Sequence, residues 1–275
     1  LQKPYRWLAA ITKYRGTTSG GPNFAYDLCV RAITPQQRDT LDLSSWEVAF
    51  NGAEPVRADT IERFSEYFAP CGFRREAFYP CYGLAESTLM VSGGFVKEPP
   101  IIRLFDGEQI ARGRAVECHP KAPHARALVG CGQQLPDGKI VIADPETCQR
   151  LPEGQIGEIW VQGPSVAVGY WENEEATQHT FRAHLADGEG PFMRTGDLGF
   201  LDRGELFVTG RIKDMIIIHG VNVYPQDIER TVQAADERLR PNAGACFAVE
   251  RDGREQLVIV QEVERRVKEG FDSIF

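Results

Sequence analysis

The sequence predicts an α/β protein in three parts: part of a doubly wound α/β subdomain, a small β-barrel-like subdomain, and the start of a small α+β C-terminal domain. Three textures along the 275 residues carry that expectation. Residues 1–96 alternate helical periodicity with short strands that run into Gly turns. Residues 131–213 are short alternating strands broken by Gly, Pro and Asp. Residues 214–275 begin a strand, helix and strand pattern without completing it.

In the first part, "ADTIERFSEYFAPCG" places Ile61, Phe64 and Phe68 on one helical face and stops at Pro70 and Gly72. "WEVAFNGAEP" reads as a strand entering a Gly turn, and "AFYPCYGLAEST" repeats the pattern, with Glu86 at the start of a following helix. Ligands of doubly wound layers gather at the carboxyl ends of the strands, so both turns are candidate site loops. Residues 97–130, rich in Pro, Arg and Ala and weakly periodic, read as an irregular insertion over a surface. Strands resume in "GKIVIADPET", "GEIWVQGPSVAVGYW" and "GELFVTGRIKD". Beyond 214, "MIIIHGVNVYP" reads as a strand pair. "PQDIERTVQAADERL" reads as a helix with Pro225 in its first turn and Ile228, Val232 and Leu239 inward. "ACFAVE" and "QLVIVQEVE" read as strands.

With 31 basic and 39 acidic residues the formal charge is −8, which argues against nucleic acid or an anionic membrane as the main partner and favours small molecules. The longest aliphatic run, such as Ile216 to Ile218, falls far short of the roughly 20 apolar residues of a membrane span. "LQKPYRWLAA" lacks the apolar core of a signal peptide, so a cytoplasmic location is expected. Seven scattered cysteines without a C-x-x-C pair indicate neither a disulfide framework nor a zinc site. The nearest approach to a metal cluster, Cys118, His119 and His124 in "CHPKAPH", lacks the second ligand pair of a zinc finger.

The chemistry-bearing stretches are turns. "RTGDLG" at 194–199 and "GRIKD" at 210–214 place Asp197 and Arg211 at two Gly positions separated by a short hydrophobic strand. Their plainest reading is a pair of solvated turn residues around a hairpin, since Gly-Asp and Asp-Arg-Gly are ordinary turn chemistry. Gly52 and Ala53 lack bulk, so a flat ring could lie against their backbone with Tyr82 stacked on its other face. The alternative is that Gly52 only makes its turn and Tyr82 only packs in the core. Glu86 at a helix start is otherwise a favourable first-turn charge.

Together, "YPCYGLAE", "GEIWVQGPSVAVGYW", "RTGDLG" and "GRIKDMIIIHGVNVYPQDIE" resemble the core motifs, in order, of the adenylate-forming superfamily of acyl-CoA synthetases, peptide-synthetase adenylation domains and luciferases. "SGGPNFAYDLC", "LDLSSWEVAFNGAEPV", "REAFYPCYGLAEST" and "YPQDIE" look most like fatty acyl-AMP ligases. The resemblance spans nearly the whole chain. It implies that ATP and a fatty acid react to acyl-AMP and pyrophosphate, with the acyl group passed to an acyl carrier protein in lipid or lipopeptide (polyketide) synthesis.

The resemblance also assigns residues. Asp197 would accept the ribose hydroxyls of ATP and Arg211 would contact the same nucleotide, roles a carboxylate and a guanidinium suit chemically. Gly52, Ala53, Glu54, Cys81, Tyr82 and Gly83 would complete the nucleotide pocket. Glu86 would be catalytic by holding Mg2+ on the phosphates, in keeping with magnesium's preference for carboxylate and phosphate oxygens. Asn23 and Phe24 would line the acyl tunnel, although a loop Asn and a core Phe are readings of similar weight. Lys213 matches the hinge about which the small domain swings.

The family's phosphate loop and its late Lys have no counterpart here, "TTSGGPNF" included, so this stretch by itself is expected not to adenylate. Residues 97–130 match the position of the insertion that hampers thioester formation in acyl-AMP ligases. Two other readings remain: an acyl-CoA synthetase, and a non-catalytic nucleotide- or acyl-binding relic. The resemblance thus implies a domain order of 1–96 α/β, 97–130 insertion, 131–213 β-rich with the ribose site, and 214–275 the C-terminal domain.

Overall fold

The computed structural model describes residues 3–218, 221–251, 254–267, 270 and 274. The chain divides into two compact units, Leu1–Thr209 and Gly210–Phe275.

The first unit begins with α1 (Tyr5–Tyr14), β1 (Thr18–Gly20), α2 (Asn23–Ala32), α3 (Pro35–Arg38), β2 (Val48–Asn51), α4 (Ala58–Phe68), β3 (Phe78–Leu84) and β4 (Leu89–Gly93). Strands β1, β2 and β3 run parallel in that spatial order, in the register Thr18↔Val48 and Ala49↔Phe78. Parallel neighbours need a crossover, and α2–α3 and α4 supply the two here. The predicted face of α4 is fully buried at Ile61, Phe64 and Phe68. Phe64 meets Tyr26 at 5.0 Å and Phe73 at 4.9 Å between ring centroids, both edge to face, so the core beneath the layer is an aromatic cluster. Gly72 ends the helical segment with φ 81, a conformation that favours glycine.

The second half of this unit holds β5 (Ile102–Asp106), α5 (Gly107–Ala111), β6 (Ala125–Val129), β7 (Gln133–Gln134), β8 (Lys139–Ala143), β9 (Gly157–Gln162), α6 (Glu174–Phe181), β10 (Met193–Asp202) and β11 (Glu205–Arg211). Residues 97–130 are not irregular. β5 and β6 form an antiparallel hairpin carrying α5, whose start is capped by Asp106 Oδ1 accepting from the N–H groups of Glu108 (2.8 Å) and Gln109 (3.2 Å). Phe105 anchors the hairpin on Phe200 (5.1 Å) and Phe207 (5.4 Å), with Arg103 paired to Asp202. The Pro- and Arg-rich composition belongs to the long link between α5 and β6; the period-two runs in the strands were too short to stand out.

β7 extends the first sheet beyond β4. Strands β8 to β11 form an open antiparallel meander in the order β11-β10-β9-β8, so the described strands close no barrel. Alternation explains its two buried faces. Ile140, Ile142, Ile159 and Val161 pack with Tyr82 and Val91 on one side, while Val141 and Trp160 pack with Phe192 on the other.

The second unit contains β12 (Ile216–Ile218), β13 (Val221–Val223), α7 (Pro225–Ala235), β14 (Leu239–Arg251) and β15 (Arg254–Val263). β12 pairs antiparallel with β13, as does β14 with β15. α7 stops four residues short of the expected helix. Asp236 is extended, its Oδ1 accepts from Arg238 N (2.8 Å), and buried Leu239 opens β14 instead of facing inward from a helix. Among the described residues no helix is long and apolar enough to cross a membrane.

Candidate nucleotide site

β2 delivers its last residue, Asn51, into the turn of Gly52, Ala53 and Glu54 beside the end of β3. A Cβ on Gly52 would sit 2.8 Å from the carbonyl oxygen of Cys81, so the close approach of the two strand ends requires glycine there. Ala53 holds φ 68, which costs a non-glycine residue energy and persists because the turn is bracketed. The bracket is Asn23, which is buried. Its Nδ2 donates to Pro55 O (2.9 Å), and its Oδ1 accepts from Arg57 N (3.0 Å) and Asn51 Nδ2 (3.2 Å). Its amide is therefore committed to the turn. Its neighbour Phe24 is 41% exposed and lines a cavity of about 830 Å³ together with Trp7, Gly21, Ala25 and Leu28.

At the end of β3, Tyr82 is buried and its hydroxyl donates to Asp197 Oδ2 at 2.7 Å. Burial first, and the Asp197 carboxylate second, push the phenol well above its ordinary pKa. It is a hydrogen-bond donor throughout the physiological range. Cys81 donates its thiol toward Asn51 O (3.7 Å), and burial raises its pKa, which makes it a packing group and not a nucleophile. Gly83 lies where a Cβ would overlap Leu89 O, at the register shift between β3 and β4.

Asp197 stands in a β-bulge. Arg194 faces Trp160 and Leu198 faces Glu158, so Thr195, Gly196 and Asp197 together oppose Ile159 alone. Gly196 has φ 72. Thr195 Oγ1 donates to Ile159 O (2.7 Å) and accepts from Asp197 N (3.1 Å). The Gly196 N–H goes to Glu158 Oε1 (3.0 Å), and Glu158 Oε2 accepts from Trp160 Nε1 (2.8 Å) and Arg194 Nε (2.9 Å). The reversal of the chain comes later, where Arg203 (φ 53) and Gly204 (φ 78) make the hairpin turn. Asp197 is thus a strand residue re-aimed by a bulge and not a hairpin-turn residue. Glu158 was missed at the sequence level; its one signal is an acid inside the apolar run "GEIWV".

Glu86 sits in a 3-10 turn, Ala85–Ser87, followed directly by β4 and not by a helix. The alternation in "LMVSG" pairs the chain back onto β3. Glu86 Oε1 accepts from Tyr170 OH (3.1 Å), Glu86 O accepts from Ala167 N (2.8 Å), and Thr88 Oγ1 donates to Ser165 O (2.7 Å). Tyr170, also unforeseen, therefore ties the turn to the loop after β9.

The structure brings Gly52, Cys81, Tyr82 and Asp197 into one contiguous chain of contacts. Arg211 and Lys213 belong to the second unit, exposed at the end of β11 and in the turn Ile212–Asp214.

This is the fold of the adenylate-forming ligases. A structure from studies of fatty acyl-adenylate ligases of E. coli and L. pneumophila is 34% identical, with a TM-score of 0.87, over 96% of this chain and 46% of that one. The L. pneumophila fatty acyl-adenylate ligase in complex with acyl adenylate and pyrophosphate is 44% identical with a TM-score of 0.77, over 99% of this chain and 48% of its own. The chain belongs to the AMP-binding enzyme family, which it matches over residues 1–171. The medium-chain-fatty-acid (acyl-carrier-protein) ligase JamA of Moorena producens is 52% identical over 98% of this chain, and TtuA of Teredinibacter turnerae, of the same description, is 42% identical over 96%. The chain spans less than half the length of these relatives, 46% and 42%.

Proposed function

We propose that the protein containing this chain activates a fatty acid with ATP to acyl-AMP and pyrophosphate, for transfer to an acyl carrier protein in lipid or lipopeptide synthesis. The observation that carries the reading is the hydrogen bond from Tyr82 to Asp197, which joins the strand-end turn at Gly52 to a carboxylate aimed by a bulge. The relatives named as fatty acid ligases and fatty acyl-adenylate ligases support it.

In this reading the Asp197 carboxylate accepts the ribose hydroxyls, with Tyr82 fixing one of its oxygens. We assign Arg211 a contact with ATP of its own, for which a guanidinium supplies planar donors. The close approach of Gly52 to Cys81 and the burial of Tyr82 leave no slot between the two strand ends, so the purine lies against the single wall formed by Gly52, Ala53 and Glu54 with Cys81, Tyr82 and Gly83. The acyl chain enters the cavity beside Phe24. Asn23 serves it indirectly, through the turn that its amide brackets.

We assign Glu86 to Mg2+ as a single carboxylate beside the substrate phosphates, in keeping with the ion's preference for carboxylate and phosphate oxygens. When bound, the ion would neutralise phosphate charge. The chain's own part is to hold Glu86 by Tyr170 and the 165–167 loop. We assign Lys213 to the hinge of the second unit, and the β5–β6 hairpin to restraint of the thioester-forming pose. The anchoring of that hairpin on Phe200 and Phe207 supports its role as a fixed obstacle.

Product analysis of the full-length protein tests this reading. With fatty acid, ATP, Mg2+ and coenzyme A present, mass detection is expected to find acyl-AMP and little acyl-CoA. Efficient acyl-CoA formation would install the synthetase reading, and absence of both products would leave the relic.

A further inference from the structure

We propose that Glu158 is a positioning residue for the nucleotide: its carboxylate holds open the bulge that aims Asp197. The inference rests on the reading of Asp197 as a ribose-binding group. Glu158 is only 2% exposed, the second residue of β9, where it precedes the apolar run Ile159–Val161. Its two oxygens are taken up by donors from Gly196, Trp160 and Arg194, the guanidinium contributing both Nε (2.9 Å) and a terminal nitrogen (2.7 Å). Arg194 is itself held by Pro145 O (3.1 Å) and lies over the Trp160 ring at 5.3 Å.

A buried ion pair is a poor device for stability alone, since well-packed apolar residues of the same volume serve as well or better. No apolar side chain, however, can accept the Gly196 N–H, which lies in the bulge where β9 and β10 fall out of register. Glu158 supplies that acceptor at the residue before Asp197. Thr195 fixes the other side of the same residue by accepting from the Asp197 N–H. The Asp197 carboxylate is then secured from its backbone by Glu158 and Thr195, and from its tip by Tyr82. A displacement on the order of 1 Å in such a group is enough to weaken a bidentate contact.

The test uses the full-length protein with Glu158→Gln, Glu158→Asp and, as reference, Asp197→Ala. Pyrophosphate release is followed against ATP, 2′-deoxy-ATP and fatty acid. Glu158→Gln has one oxygen for donors on two sides, so its NH2 must face either Gly196 N–H or the Trp160 and Arg194 donors, and the displaced bulge is expected to raise KM for ATP about tenfold. KM for the fatty acid should stay within about twofold. The penalty for replacing ATP with 2′-deoxy-ATP should shrink, because a misaimed carboxylate no longer reads the sugar. A purely structural role would lower the amount of active protein and leave KM for ATP and the deoxy penalty unchanged, which would overturn the proposal. If Glu158→Gln does not fold, Glu158→Asp decides, since it keeps the charge facing Arg194 and withdraws it from Gly196 by one methylene. Failure of both to fold would assign Glu158 to stability and also overturn it. Asp197→Ala separates the two layers. An unchanged ATP KM there sinks the nucleotide reading itself, whereas a raised KM beside normal Glu158 variants sinks only the positioning.

Discussion

The α/β layer and the β-meander each present candidate ligand-facing residues at a break in regular structure, and they hold those breaks with different chemistry. In the layer, the turn after β2 offers groups of both kinds to Asn23: an acceptor at Pro55 O and donors at Arg57 N and Asn51 Nδ2. In the meander, β10 offers Glu158 donors from Gly196 and Arg194, and β9 adds the Trp160 N–H, so every partner of Glu158 is a donor. A neutral amide both donates and accepts, whereas a carboxylate only accepts. The identity of each bracket follows from the polarity of the backbone it must satisfy. The charged solution also carries a desolvation penalty, offset by the guanidinium, that the amide avoids.

The contrast makes the meander the more fragile of the two to loss of a partner. Arg194→Met leaves Glu158 buried with its charge uncompensated, and is expected to cost about 3 kcal/mol, the lower end for a broken buried pair because two N–H donors remain. Asn23→Ala removes three neutral hydrogen bonds and orphans their partners, at about 2 kcal/mol. Urea denaturation of the full-length protein ranks the two. A larger loss from Asn23→Ala than from Arg194→Met would break the comparison, and show that the amide carries more than local satisfaction of its turn.

The parts of this fold legible in the sequence were those whose cause is local. Ile61, Phe64 and Phe68 recur at helical spacing, and all three are buried against the aromatic cluster. Ile140 to Ile142 and Ile159 to Val161 alternate, and the two faces of the meander follow. What escaped is set by contacts distant in sequence. The Gly196 N–H finds its acceptor 38 residues upstream, and Tyr82 finds Asp197 across 115, so no window shows that Thr-Gly-Asp is a bulge. The turn at Glu86 was mistaken for a helix start because Ala, Glu and Ser suit a helix, while the pairing of Leu89–Gly93 back onto β3 decides otherwise. α7 ends early for a local reason that propensity alone underweights, the hydrogen bonding of Asp236 to Arg238.

The meander holds a second buried acid, and it sharpens the comparison at the smallest scale. Glu205 is 5% exposed and accepts one backbone bond, from Gly132 N to its Oε1 at 2.7 Å. Arg103, the cation whose charge opposes this burial, is itself engaged with Asp202. Burial raises the pKa of Glu205, with the Gly132 bond and Arg103 only partly opposing. The sign follows: the folded protein holds this proton more tightly than the unfolded chain, so stability declines as pH rises from the ordinary carboxyl value through the raised one. Glu205→Gln keeps an acceptor for Gly132 and carries no charge, so its stability should lack that decline. The difference between wild type and variant, in urea midpoints taken from pH 4 upward at about half-unit steps, isolates the group because the other carboxylates cancel. The variant is expected to gain on wild type as pH rises and to level off above the raised value. Parallel curves across the whole range would mean that the Gly132 bond and Arg103 offset the burial of Glu205 in full, and would remove the contrast between a singly bonded acid and the fully bonded Glu158.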